Sequence, residues 1–162
     1  MSNLEPNIDY HHLADLWGAV NSEINAQTVG EMLRILREAD LSMPRLVTLT
    51  FLYHTNTASI SAISEHLNLA LGTTSHLVDQ LVRGGYVERR EDELDRRLKQ
   101  VSLTDKGRGV VGQVRQLRVE EVIRRFSQLP PEVACQLQAA LELVVAILRR
   151  SSKYAHHHTE QV

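Results

Sequence analysis

Within Leu98–Leu103, "LKQVSL", polar and apolar residues alternate from Gln100 on, a period of two that suits an extended strand and not a helix. The flanking sequence supplies its partner. "YVERR" at 86–90 reads as a short strand, and the polar "EDELDRR" between the two makes them a hairpin. Thr104 then caps a new helix, with Asp105 at its positive end. Almost everything outside this hairpin repeats at three and four residues. The chain must therefore fold as a mainly α protein that carries one small β element, an α+β arrangement.

Leu13, Leu16, Trp17, Val20 and Ile24, then Val29, Met32, Leu33 and Leu36, make one amphipathic stripe. Gly18 and Gly30 weaken it and leave room for a break near residues 25–28. Ser42 and Pro44 signal a second helix with Leu46, Leu49 and Leu52 on its apolar side. That helix is expected to fade into "HTNTAS". Ser59 or Ser61 opens a shorter helix carrying Ile60, Ile63 and Leu67, which Asn68 can end. "GTTSHLVDQLV" forms the next helix, stopped by Gly84-Gly85. After the hairpin, Val110, Val111, Val114, Leu117, Val122, Ile123 and Phe126 mark a long helix. Pro130 and Pro131 break it, and Val133, Leu137, Leu141, Val144, Val145 and Leu148 mark a last one. Residues 151–162 have no apolar period and are expected to be a flexible tail.

Between 44 and 104 the order is helix, short helix, helix, hairpin, which reads as a winged helix-turn-helix. On the helix after the turn, Thr74, Leu77, Val78 and Leu81 share an inward face. Thr73, His76, Gln80 and Arg83 share another and are all hydrogen-bonding residues, able to donate to phosphates and base edges. Ser75, Arg96, Arg97 and Lys99 complete the residues expected to contact DNA. A solvated helix face has the same composition, so the hairpin must decide. The whole chain of 162 residues has a formal net charge of -2, which by itself favours no nucleic-acid partner. Residues 83–108, however, hold more Lys and Arg than Asp and Glu and are net positive, while the remainder is net negative. An arginine at a hairpin tip can enter a narrow minor groove, and Asp95 can pair with an arginine at the hairpin base and fix the loop.

"DELDRRLKQVSLTDKG", placed after "LVDQLVRGGYVERR", resembles the signature of MarR-type transcriptional regulators. The family pattern is an Asp-x-Arg wing, a strand, and Leu-Thr-x-x-Gly opening the next helix. It is met here by Asp95, Arg97, Leu103, Thr104 and Gly107. Leu77, Val78, Asp79, Leu81 and Gly85 match the preceding helix, and "LSMPRLVTLTFL" matches the opening of the family's second helix. The likeness is close over about Leu41 to Gly107. It departs where Ala70 stands in place of a Ser or Thr cap, where Gly72 follows, and where His76 replaces a frequent arginine. These departures imply altered sequence reading by the helix.

The resemblance implies a homodimer on a palindromic operator, with Arg97 in the minor groove. It implies an N-terminal dimerisation region at 8–40, a DNA-binding domain at 41–104 and C-terminal dimerisation helices at 105–150. It also implies a small-molecule effector, in many members an anionic aromatic compound, whose binding releases a repressor. Trp17, Phe51, Tyr53 and His54 are the candidate effector pocket, while Trp17, Phe51, Tyr53 and Phe126 each fit a core role better. Cys135, the single cysteine, reads as a small buried hydrophobe, which fits a reducing cytoplasm. No stretch is expected to span a membrane, and "MSNLEPNIDYHH" lacks the pattern of a signal peptide. His11, His12, His54 and His66 could meet as a metal site in a metal-responsive regulator, although their spacing does not favour it. The run at His156–His158 would bind metal adventitiously. No cofactor is expected. No Gly-rich phosphate loop, nucleophile elbow or carboxylate pair suggests an enzyme. The rival reading is a winged module that binds protein partners and not DNA; Arg96, Arg97 and Lys99 speak against it.

Overall fold

Nine elements follow from this pattern in the computed structural model, which describes residues 8–91 and 99–157, with side chains placed for 8–90 and 100–150. They are α1 (Tyr10–Glu38), α2 (Met43–Thr55), β1 (Thr57–Ser59), α3 (Ile60–Leu67), α4 (Leu71–Arg83), β2 (Val87–Glu91), β3 (Lys99–Leu103), α5 (Asp105–Phe126) and α6 (Pro131–His157). The chain divides into two compact units at the Glu121–Val122 step. The first holds a winged helix-turn-helix. Its core is Leu49, Leu52, Ile63, Val78, Leu81 and Val101, all with no exposed surface, drawn from α2, α3, α4 and the sheet.

Local chemistry sets the helix ends. Asp9 caps α1 by accepting from the amides of His11 and His12. Ser59, not Ser61, caps α3: its hydroxyl accepts from Ala62 N at 3.1 Å. Asn68 ends α3 in the left-handed region, at φ 52°. Gly85, at φ 72°, turns the chain out of α4. Ser42 holds the cap position of α2, but its side chain makes no capping bond.

α1 runs unbroken through residues 25–28, where its glycines leave room for a break. Thr28 is buried and its hydroxyl is satisfied within the helix by the carbonyls of Ile24 and Asn25. Ile24 and Ile35 are buried on the same helix, and Leu36 joins the core with Met32 packed against it. On the solvent side Arg34 bridges Glu31 and Glu38. Its hydrogen bond and charge keep the Glu31 carboxyl below the ordinary carboxylate range.

The sheet is antiparallel in the order β1-β3-β2, with Ala58 and Arg89 on either side of Val101 and Val87 opposite Leu103. β1 was not anticipated. It has three residues, too few to show a period, and it exists because β3 offers it an edge.

Around Tyr86 the exit of α4, the sheet and the start of α5 are fastened together. The Tyr86 hydroxyl donates to Ala39 O at 2.5 Å, and Tyr86 O accepts from Thr104 N at 3.1 Å. Thr104 Oγ1 donates to Gly85 O at 2.7 Å and accepts from Gly107 N at 3.2 Å. Lys106 donates to Gly84 O at 2.8 Å while lying 4.2 Å above the Tyr86 ring. A Cβ on Gly107 would run into the Tyr86 carbonyl oxygen. The Leu-Thr-x-x-Gly sequence is thus a fastening, in which threonine ties two backbones and glycine lets them touch.

In the second unit α6 continues to His157, so the backbone stays helical where a tail was expected from residue 151. Cys135 is exposed, against the expectation of burial. Its neighbours on α6 form a stripe that is itself uncovered, including Leu143, Ile147 and Leu148. Pro131–Arg150 is also long and apolar enough, by length and composition, to cross a membrane, contrary to the sequence expectation. Glu132, Gln136, Gln138 and Glu142 interrupt it with polar side chains.

Candidate nucleic-acid interface

α4 presents two faces. Thr74, Leu77, Val78 and Leu81 are buried, and Thr74 spends its hydroxyl on Ala70 O. Thr73, His76 and Arg83 are exposed, while Ser75 and Gln80 are half-buried. The start of α4 lacks a side-chain cap, because Ala70 occupies that position. The free amides of the first turn are therefore left to solvent or to an acceptor such as a phosphate.

Gln80 is held more firmly than its neighbours. Its Oε1 accepts from Arg45 Nη2 of α2 at 2.6 Å, and its Nε2 lies 3.0 Å from His76 Nε2. Arg83 makes only a long contact, 3.4 Å, to Asp79 O. The stripe thus has a fixed centre in His76 and Gln80 and freer ends in Thr73 and Arg83.

The wing is joined to α4 by an ion pair. Arg89 Nη1 of β2 lies 2.7 Å from Asp79 Oδ1. The Nε and Nη2 groups of Arg89 are enclosed, with no hydrogen-bond partner among the described residues. Asp79 is thereby the acceptor that compensates a partly desolvated guanidinium, so separating the two would be costly. Arg90 is exposed and pairs with Glu88 at 2.7 Å on the outer face of the sheet. Lys99 opens β3 opposite Glu91. Asp95, Arg96 and Arg97 lie outside the described residues.

The other candidate residues have separate partners. Phe51 stacks on His66, with ring centroids 4.2 Å apart. Tyr53 meets His54 edge-on and takes the Arg115 guanidinium 4.8 Å from its ring centre. Trp17 is exposed on α1. Among the described residues no group of three or more His, Cys, Asp or Glu side chains is placed to hold a metal ion. His11, His12, His54 and His66 therefore do not form the site considered above, and His66 is engaged with an aromatic ring instead.

Sequence reasoning missed Arg45 and Arg89. Arg45 sits in the "LSMPRL" opening of α2, where only the turn signal was informative. Arg89 stands two residues from inward-facing Val87 and so shares its face of the hairpin, on the side of Asp79 of α4.

Residues 41–99 match the family model of the MarR family, the segment that contains the stripe, the ion pair and the wing. The uncharacterized HTH-type transcriptional regulator YsmB of Bacillus subtilis is 30% identical over 98 residues, 60% of this chain and 67% of that protein. The chain belongs to the MarR family. The HTH-type transcriptional repressor IacR of Pseudomonas putida is another relative, 28% identical over 123 residues, 76% of this chain and 74% of that one. A transcriptional regulator of Thermotoga maritima, Tm0710, has the same fold, with a TM-score of 0.70 at 23% identity over 85% of this chain and 96% of its own. The chain is thus a MarR-type helix-turn-helix transcriptional regulator, and its family and relatives are transcriptional regulators, not enzymes. Asp79 and Gly107 of the MarR pattern have structural tasks here, in the ion pair to the wing and in the close approach to Tyr86.

Proposed function

We propose that the protein is a cytoplasmic, homodimeric repressor that binds a palindromic operator and is released by a small-molecule effector. The observation that carries DNA reading is the exposed Thr73–His76–Arg83 stripe on α4, clamped to a hairpin whose sequence concentrates Arg96, Arg97 and Lys99. In this reading Thr73, Ser75, His76, Gln80 and Arg83 enter a major groove. Arg96, Arg97 and Lys99 meet the backbone and minor groove, and Asp95 shapes the wing. The repressor sense is supported by the name of the relative IacR.

Dimerisation is supported by large apolar side chains that are exposed among the described residues. Leu13, Leu16 and Trp17 of α1 are more than half exposed, as are Leu143, Ile147 and Leu148 of α6. An apolar groove of about 530 Å³ lies among Phe126, Leu137, Leu141 and Val145 in the second unit. Patches of this kind mark association surfaces. The segments 8–40 and 105–150 supply them, flanking the DNA-binding segment 41–104. A two-fold dimer sets half-sites about 10 base pairs apart, centre to centre. The effector, a small anionic aromatic molecule, is assigned to the region of Trp17, Phe51, Tyr53 and His54. Tyr53 and the Arg115 guanidinium above it supply an aromatic face and a positive charge.

Titration of the Arg97→Ala variant against operator and scrambled duplexes at several salt concentrations tests the wing. Affinity is expected to fall on both duplexes. The slope of log affinity against log salt is expected to become shallower by up to ~2, since a dimer loses two cationic contacts. An unchanged affinity and slope with a lowered melting temperature would make Arg97 a structural residue and favour the protein-binding module.

A further inference from the structure

Gln80 has chemically different neighbours on its two sides. On one side is Arg45 Nη2 at 2.6 Å; Arg45 is anchored in turn, its Nη1 donating to Asp40 O at 2.9 Å. On the other side is His76 Nε2 at 3.0 Å, one helical turn back on α4. A guanidinium only donates, so the Gln80 atom facing Arg45 must be the carbonyl oxygen. The amide orientation is thus set by its partner. The atom facing His76 is then the NH2 group, a donor, and the imidazole nitrogen it meets must accept. A neutral imidazole has one accepting and one donating nitrogen, so the ring proton of His76 sits on Nδ1.

We infer that Arg45, acting through Gln80, fixes His76 in the Nδ1–H form and so determines what the recognition helix can read. The inference rests on the proposal that His76 contacts a base. With Nε2 occupied, His76 offers the major groove a single N–H donor. Guanine O6 and N7, adenine N7 and thymine O4 can receive it; the amino edge of cytosine cannot. Arg45 touches no DNA in this scheme. It is a positioning residue on α2 that selects among bases by setting a proton one residue removed. Gln80, counted from sequence as a base contact, acts as the intermediate.

The test uses full-length protein with 15N-labelled histidine, at a pH where the ring is neutral. Imidazole spectra of the free protein should assign the His76 proton to Nδ1. Arg45→Met removes the donor that holds the Gln80 oxygen, and His76 should shift toward the Nε2–H form that free histidine prefers. Arg45→Lys keeps a donor-only group there and should restore Nδ1–H, which separates the relay from a fold defect. On DNA, Arg45→Met should weaken operator binding about 10-fold and scrambled duplex much less. A wild-type Nε2–H signal, or a tautomer indifferent to Arg45→Met, overturns the relay. An Nδ1–H signal together with full operator affinity in His76→Ala overturns the base-reading role instead, so the two failures are distinguishable.

Discussion

Gly107→Ala is expected to destabilise the protein by about 3 kcal/mol or more, although the same change at an ordinary helical position gains up to ~1 kcal/mol. The reason is the Tyr86 carbonyl. The new methyl would run into that oxygen and lie 3.1 Å from Leu103 Cδ2. The obstacle is backbone and cannot rotate away. It is also held, because the oxygen accepts from Thr104 N and the Tyr86 hydroxyl is bonded to Ala39 O. Overpacking of this kind costs roughly 1–3 kcal/mol, and each strained hydrogen bond adds about 1. Gly109, two residues along α5, has nothing within 4 Å of a built Cβ, so Gly109→Ala should stabilise slightly. Denaturant midpoints of the two variants should therefore move in opposite directions. A Gly107→Ala protein as stable as the parent would show that the approach of α5 to Tyr86 is looser than described.

The combined substitution Leu143→Arg and Ile147→Arg is expected to yield a monomer that binds operator at least ~100-fold more weakly. The two residues are one turn apart on α6, and they are 67% and 62% exposed in the single chain. In the proposed dimer both would be covered, and four guanidinium groups would lose water without partners, at a cost of several kcal/mol. Operator affinity depends on joining two half-sites, because the second contact forms at a high effective concentration. Sedimentation should give a single-chain mass with the helical content retained. The salt slope on scrambled duplex should drop to about half. A variant that still sediments at twice the chain mass would remove this face of α6 from the interface.

What could be read from sequence divides by the range of the interactions involved. The α2–α3–α4 unit was legible because its ends are written locally, in Ser59, Asn68 and Gly84-Gly85, and because its inward residues keep a helical period. β1 was not, since three residues acquire strand geometry only from a partner more than forty positions away. The continuity of α1 depended on Thr28 satisfying its own hydroxyl, which glycine propensities do not reveal. Cys135 was misjudged because an apolar neighbourhood in sequence was equated with burial, whereas Cys135 and much of that stripe of α6 are exposed among the described residues. At the candidate site the outer stripe of α4 was visible from its spacing. The partners that orient it, Arg45 and Arg89, come from other elements and carry no motif of their own.

The fastening at Tyr86 bears on how a distant event could be felt by the DNA-reading surface. Thr104, just before α5, and Lys106, in its first turn, hold the carbonyls of Gly85 and Gly84, the two residues that follow α4, so the exit of α4 and the start of α5 are joined at an elbow. In the proposed regulator α5, 22 residues and about 33 Å long, would act as a crank with its pivot at that elbow. A displacement of ~3 Å at its far end amounts to a rocking of about 5° at the pivot by lever geometry alone. In that proposal α4, whose exit is fastened at the elbow, would turn with it. In such a linkage small far-end movements are converted into changes of angle against the groove, and stiffness at Gly107 is what keeps that motion from being absorbed before it arrives.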